Sequence, residues 1–315
     1  MPTFRSSLAC ALVVASCGAK PQPESPAEPP PTTEASVPAP AAPVDVVVVQ
    51  VAAHAELTQP ARPLSQTLRL TASTFGEMYL LDCDNHRILR YGAGGELLGE
   101  VGGSGSGTLQ FNSPVDLDAD GQTVWVLDRQ NRRLVRLNRV LNHIEEIPLA
   151  PPADNLDAPL WYDGVSASAD GDVFLLDKRT PQAVRISAGG EILASYGGFG
   201  TGNGRLEEPT DIDAAQDGSL FVVDGRRLLV FDRSGNLQRE IQHSEPLARI
   251  EAEAHNAWVT TRAGELLWYA DGRLHRVTAL TETLPRPVDL TVVAGRDPVL
   301  LDSGPSVWLC RASSD

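Results

Sequence analysis

Within DCDNHRILRY, residues 82–91, the side chains of Asp82, His86 and Arg87 fall within six positions of one another. Such a set would suit proton transfer or the capture of a metal ion. Asn85 beside them supports a second reading. Asp and Asn close tight turns between apolar strands, because their short polar side chains bond to nearby backbone amides. The two readings separate on whether the arrangement occurs once or many times.

It recurs. An aspartate ends an apolar run at positions 82, 128, 177, 224 and 302, in MYLLD, VWVLD, VFLLD, LFVVD and PVLLD, and a second alternating run follows a short turn each time. The first four lie 46 to 49 residues apart and the last 78 further on, which leaves room for one more unit. AWVTTRAGELLWYADG, residues 257–272, fills that space with Thr261 in place of the aspartate. Six self-similar units of this length indicate a propeller. Asp-Gly and Gly-Glu pairs before the second strand of a unit, and Gly-Gly, Ser-Gly or Asp-Gly pairs later, mark the hairpins of a four-stranded antiparallel blade. The expected fold class is all-β. A motif repeated blade after blade is not a single active site. Asp82, Asp128, Asp177, Asp224 and Asp302 are therefore expected to accept hydrogen bonds from turn amides, with Asn85 and Arg87, and Asn131 and Arg133, completing the turn. His86 belongs to that turn.

Residues 102–137 and 197–224 carry a glycine-rich lead-in, a phenylalanine or leucine before a proline, and then the aspartate; in the first of them an Asn-Arg-Arg turn follows, and residues 85–88 read Asn-His-Arg-Ile. In these features the chain resembles the NHL repeat over residues 65–315. The resemblance implies a six-bladed β-propeller. It leaves function open, since NHL propellers serve as ligand platforms, sensor domains and, more rarely, metal-dependent enzymes.

The last unit is one strand short. VDVVVVQV, residues 44–51, is a β-branched run with no turn of its own, and it is expected to supply the outer strand of the last blade and so remove the open edge of the ring. Innermost strands line a propeller's channel. Aligned on Leu70, Leu117, Val165, Ile212, Ile250 and Leu290, the flanking positions form two rings by strand alternation. Arg69, Asp116, Gly164, Asp211, Arg249 and Asp289 make the first; Thr71, Asp118, Ser166, Asp213, Glu251 and Thr291 make the second. The rings suit a wall of structural ion pairs. Alternatively, Asp118, Asp213 and Glu251 offer the hard oxygen ligands that calcium takes. Trp161 and Tyr162, just before an inner strand, are expected at a channel mouth, where aromatics could hold a sugar or peptide.

Other chemistry finds little support. Zinc needs convergent ligands, and His54, His143, His243, His255 and His275 fall in positions that should not meet. There is no serine elbow, Cys–His pair or P-loop: GGSGSG at 102–107 lacks a following lysine and leads into a strand. Cys83 and Cys310 should lie too far apart to be bridged and are expected as free, buried thiols.

The N-terminus bears on location. Arg5, the apolar run from Leu8 to Ala15 and the small residues before Cys17 read as a secretory signal, too short to span a bilayer. Val14-Ala15-Ser16-Cys17 resembles the lipobox of bacterial lipoproteins, which implies a lipid on Cys17. Nine prolines within residues 21–43 indicate an extended spacer of roughly 70 Å at ~3.1 Å per residue. The organisation expected is a signal peptide at 1–16, a lipidated tether at 17–43 and a propeller at 44–315. The protein would be exported and anchored on the outer-membrane or periplasmic side. The net charge of −15 argues against nucleic acid and against docking on anionic lipid. Together these features point to a monomeric, membrane-tethered, non-enzymatic propeller that binds a protein, peptide or glycan partner and needs no cofactor. The alternative is a calcium- or zinc-dependent hydrolase or lyase that uses the channel, as lactonases of this architecture do.

Overall fold

Short alternating runs cut by Asp-Gly and Gly-Gly turns fold as successive hairpins, because each strand then buries one face and leaves its turn in water. The computed structural model describes residues 46–149, 161–168, 171–198, 204–279, 286–293, 297–304 and 306–312. Cys17 and the proline-rich tether lie outside the described residues.

Six four-stranded antiparallel blades form a six-bladed propeller. They span residues 68–102, 114–148, 162–197, 209–242, 247–279 and 287–312, the last completed by Val46–Glu56. The second strand is buried along its whole length in blades one to four, as in Met78–Asp82 and Leu220–Asp224. Outer strands such as Leu97–Gly102 alternate between half-buried and exposed residues. This gradient follows from packing: an inner position has a neighbouring blade on both faces, whereas the rim faces solvent.

Six apolar clusters fill the structure, each shared by two adjacent blades. Between blades one and two, Tyr79, Leu81 and Ile88 meet Leu117, Val126 and Val135. Each cluster receives one member of the series Leu70, Leu117, Val165, Ile212, Ile250 and Leu290, all at most 5 % exposed. That series faces the blade interfaces, which directs the alternate positions on either side of it into the channel.

The N-terminal strand closes the ring. Residues from Val49 to Glu56 pair antiparallel with Ser306–Ala312, placing Val51 opposite Cys310 and His54 opposite Trp308. The strand runs five residues beyond the expected Val51, with a register shift between Val51 and Ala53. It also does more than close one blade. Val46 to Val49 pair in parallel with Arg276 to Ala279, so blades five and six become one continuous eight-stranded sheet. Among the described residues, no helix is long and apolar enough to cross a membrane.

Candidate functional site: the central channel and its mouth

The recurrent aspartates close the turn after the second strand, and in blades one, two and four they also hold the loop that enters the blade. Asp82 Oδ2 accepts from Asn85 Nδ2 at 2.8 Å and from Arg87 Nε at 2.9 Å, while Oδ1 accepts the Ser65 amide at 3.1 Å. Arg87 then donates to the carbonyls of Arg62 and Pro63. Blade two repeats this with Asp128, Asn131, Arg133 and the Asn112 amide. Asp224 accepts the amides of Glu207 and Glu208 and pairs with Arg227; Asp177 accepts the amides of Arg179 and Thr180. Asp302 accepts those of Gly304 and Ser306. Thr261 takes the same part in blade five, its Oγ1 accepting the Glu265 amide at 3.0 Å. Burial alone would raise the Asp82 carboxyl, but the bonds from Ser65, Asn85 and Arg87 outweigh it and hold the group below its ordinary range. His86 adopts a left-handed conformation, φ 56°, and its Nδ1 accepts the Ser113 amide at 3.1 Å, joining the turn of blade one to the entry of blade two. With Nδ1 an acceptor, the ring hydrogen of neutral His86 sits on Nε2.

Both expected rings line the channel, whose throat has a volume of about 30 Å³, room for about two water molecules. Their carboxylates staple adjacent inner strands. In the first ring, Asp116 accepts the Val165 amide at 2.9 Å, Asp211 that of Ile250 at 3.0 Å and Asp289 that of Leu70 at 2.8 Å. In the second, Asp118 accepts from Ala167, Asp213 from Ala252 and Glu251 from Val292. Ser166 fills the place of a carboxylate in blade three: its Oγ accepts the Ala214 amide at 2.9 Å and donates to Asp213 at 2.6 Å.

The rings differ in charge. Arg69 lies 3.7 Å from Asp116, and Arg249 lies 3.5 Å from both Asp211 and Asp289. Burial alone would lower Arg249, but Asp289 and Asp211 outweigh it and hold the guanidinium above its usual range. Burial pushes the Asp116 carboxyl up to about 7 against the pull of Arg69, and raises Asp289 against that of Arg249. The second ring has no such cations. Burial raises Asp118; it raises Asp213 well above the ordinary range, with repulsion from Asp118 adding; and it does the same to Glu251, with Asp213 and Asp118 adding. These three groups are enclosed by the ring, each with a face on the narrow throat. Among the described residues, no group of three or more His, Cys, Asp or Glu side chains is disposed to hold a metal ion.

At the first-ring end the channel widens into a cavity of about 390 Å³ lined by Arg69, Cys83, Asp84, His86, Arg129, Asp163 and Lys178, among others. Lys178 was not legible as a site residue from the repeat. It follows Asp177 in the turn of blade three, beside the ring position where Gly164 stands instead of a side chain. Its ammonium is in the field of Asp211, Asp116 and Asp163, yet burial prevails and pushes its pKa down. One sequence signal marks it: Lys20 and Lys178 are the only lysines in the chain. The opposite mouth, of about 380 Å³, is lined by Ala72, Thr74, Gln216, Glu251 and Glu253 among others.

Trp161 is half-buried, with the guanidinium carbons of Arg179 and Arg129 over its ring at 4.1 and 5.4 Å from the centroid. Arg129 also pairs with Asp163 at 2.8 Å. Tyr162, expected at the mouth, is instead 7 % exposed and packs with Leu127, Leu134 and Val165. The register shift between Tyr162 and Gly164 reverses the side it faces. The histidines stay apart: His54 stacks on Trp308, His255 pairs with Asp217 and His143 approaches Glu146. Cys83 and Cys310 are free and buried.

The arrangement defines a six-bladed β-propeller with a stapled polar throat and a mixed-charge mouth. No protein-family model matches this sequence, and no curated protein sequence matches it. Among solved structures, it resembles a catalytically inactive His-to-Ala variant of virginiamycin B lyase from Staphylococcus aureus with quinupristin. The two share 15 % identity over 79 % of this chain and 82 % of that one, with a TM-score of 0.56. A streptogramin B lyase is similar at 13 % identity over 83 % and 98 %, TM-score 0.55. The WD40 repeats of RRP9 are similar at 9 % over 84 % and 100 %, TM-score 0.58. At these identities the likeness shows the fold alone.

Proposed function

We propose that this chain is an exported, NHL-type propeller of a bacterial envelope, held to the membrane by a lipid on Cys17 and the tether to residue 43, that binds a ligand at the Lys178 mouth without converting it. The observation that carries this reading is the division of labour along the channel. The throat carboxylates are occupied with backbone amides of the next blade, whereas the mouth above them offers cations, an indole and an open volume of about 390 Å³. That volume lies low in the ~300–1,000 Å³ range of small-ligand pockets. It suits the end of a peptide or glycan chain better than a broad protein surface. A lipid anchor and an extended spacer would present such a mouth to the envelope.

The alternative, a metal-dependent hydrolase or lyase, takes its support from the shared fold with virginiamycin B lyase. Asp118, Asp213 and Glu251 are the groups that would serve it. Metal analysis of the purified chain, with melting in EDTA and in added calcium or zinc, separates the two. A stoichiometric metal whose removal lowers the melting temperature favours the enzyme; indifference to EDTA, with loss of ligand binding in Trp161→Ala, favours the binding module.

A further inference from the structure

Three cations line the Lys178 mouth, and two are already matched. Arg129 Nη1 lies 2.8 Å from Asp163, and Arg69 Nε lies 3.7 Å from Asp116. Lys178 makes no ion pair or hydrogen bond with any described residue, although it lines the same cavity. Asp116 and Asp211, deeper in the throat, are engaged by Arg69, Arg249 and the amides of Val165 and Ile250. Around the first ring, arginine stands in blades one and five and aspartate in blades two, four and six, so Gly164 of blade three is the one position without a side chain. A Cβ there would lie 3.2 Å from Leu176 Cβ and 3.6 Å from Asp116 Oδ2. Glycine there leaves room for Leu176 and Asp116 and adds no side chain to the ring.

We propose that Lys178, flanked by Arg69 and Arg129, anchors a subsite for one carboxylate group on the ligand that enters this mouth. The proposal rests on the binding reading above and names the chemistry of what is bound. A half-buried ammonium without a partner is unfavourable, and an incoming anion supplies the charge-assisted hydrogen bond it lacks. The lining also sets the valence. With Arg69 paired to Asp116 and Arg129 to Asp163, Lys178 is the one cation of the mouth lining without an ion-pair partner among the described residues, and a carboxylate meets it with a single charge. A phosphate dianion would bring a second negative charge against Asp84 and Asp163. Burial pushes Lys178 down, with repulsion from Arg249 adding, against the pull of Asp211, Asp116 and Asp163.

The scarcity of lysine provides a direct probe. Reductive ¹³C-methylation of the full chain labels only Lys20, Lys178 and the terminal amine, and loss of one signal in Lys178→Arg assigns the resonance. The probes are N-acetyl-dialanine and its C-terminal amide, and glucuronate and glucose. We expect saturable shifts of the Lys178 signal with one or both acids and not with the neutral partners. Preference for the dipeptide acid identifies a chain-end carboxylate, and preference for glucuronate a uronic acid. By calorimetry on unmodified protein, Lys178→Met should weaken the acid about tenfold or more, while Lys178→Arg keeps most of the affinity. Equal binding of acid and neutral forms, unchanged in Lys178→Met, overturns the carboxylate subsite and leaves the binding module standing. Silence with every probe at tens of millimolar overturns the subsite. Chemical conversion of a probe would overturn the binding reading, with the Lys178 shift still reporting on the subsite.

Discussion

Asp289 Oδ2 accepts the amide hydrogen of Leu70 at 2.8 Å, joining the last blade to the first by the same bond that Asp116 makes to Val165. All these staples run in one direction: a side chain of one inner strand accepts an amide of the next blade in the ring. Asp118, Ser166, Asp213 and Glu251 obey the same rule. These side-chain-to-backbone bonds span five of the six blade junctions, and Thr71–Asp118 and Arg69–Asp116 join blade one to blade two, all inside the belt of apolar clusters.

Cutting the staple at the closure should be costly. Asp289→Ala leaves the buried Leu70 amide without an acceptor and takes one of two carboxylates from Arg249. A loss of about 1–3 kcal/mol is expected, from the penalty for an unsatisfied buried group. Asp289→Asn keeps an acceptor and should lose less. Urea unfolding of the two variants checks this, and equal stability of Asp289→Ala and the parent would contradict the staple.

The second ring should behave in the opposite way. Burial and mutual repulsion raise Asp213 well above its ordinary 3.8. A carboxyl whose folded pKa exceeds its unfolded one contributes stability that is fully present below the unfolded value and lost as pH rises through the folded one. The window therefore opens near 3.8 and extends upward. Asp213→Asn, uncharged but still able to accept from Ala252, should be as stable as the parent or more so at neutral pH, and its melting temperature should fall less steeply from acid to neutral conditions. A drop in neutral stability as large as that of Asp289→Ala would show that the ionised group is needed.

Much of this architecture was readable from strings such as VWVLDRQNRRLVRL, because a propeller repeats one local solution: an apolar second strand, an aspartate, and a turn that ties back the incoming loop. The two rings followed from strand alternation, since the apolar series is committed to the blade interfaces. Alternation does not say what an inward group bonds to, so the amide staples were invisible. Lys178 was invisible for a related reason. It lies on a turn after the second strand of blade three and shares the mouth with Arg69 of blade one and Arg129 of blade two, a relation that exists only in space. Tyr162 was misplaced because strict alternation was carried through a bulge that recurs at this point of the inner strand in blades two to six and reverses its side.

The repeat aspartates should act on stability rather than on ligand binding. Asp128→Ala would leave Arg133, half of whose bonding is to that carboxylate and Glu146, buried beside the carbonyls of Gly107 and Gln110. Breaking a buried pair from one side costs about 3–5 kcal/mol. Chemical denaturation should show a loss of this order, while the affinity of the fraction that remains folded for any mouth ligand stays at the parent value. Loss of affinity without loss of stability would return these residues to the functional site.

The N-terminal strand offers the most decisive test of the ring. Val49 is fully buried among Trp258, Leu290, Leu300 and Cys310, and the strand bonds on one side to the last blade and on the other to blade five. Deleting residues 44–52 removes the parallel pairing and part of the antiparallel one, and it leaves the edges of Cys310–Ala312 and Arg276–Ala279 open to pair with another chain. The truncated protein is expected to melt well below the parent and to aggregate in proportion to concentration. A synthetic peptide spanning residues 44–56, added in trans, should restore part of the melting temperature, since it can supply both pairings. A truncation that melted with the parent would mean that the six clusters hold the ring without its closing strand.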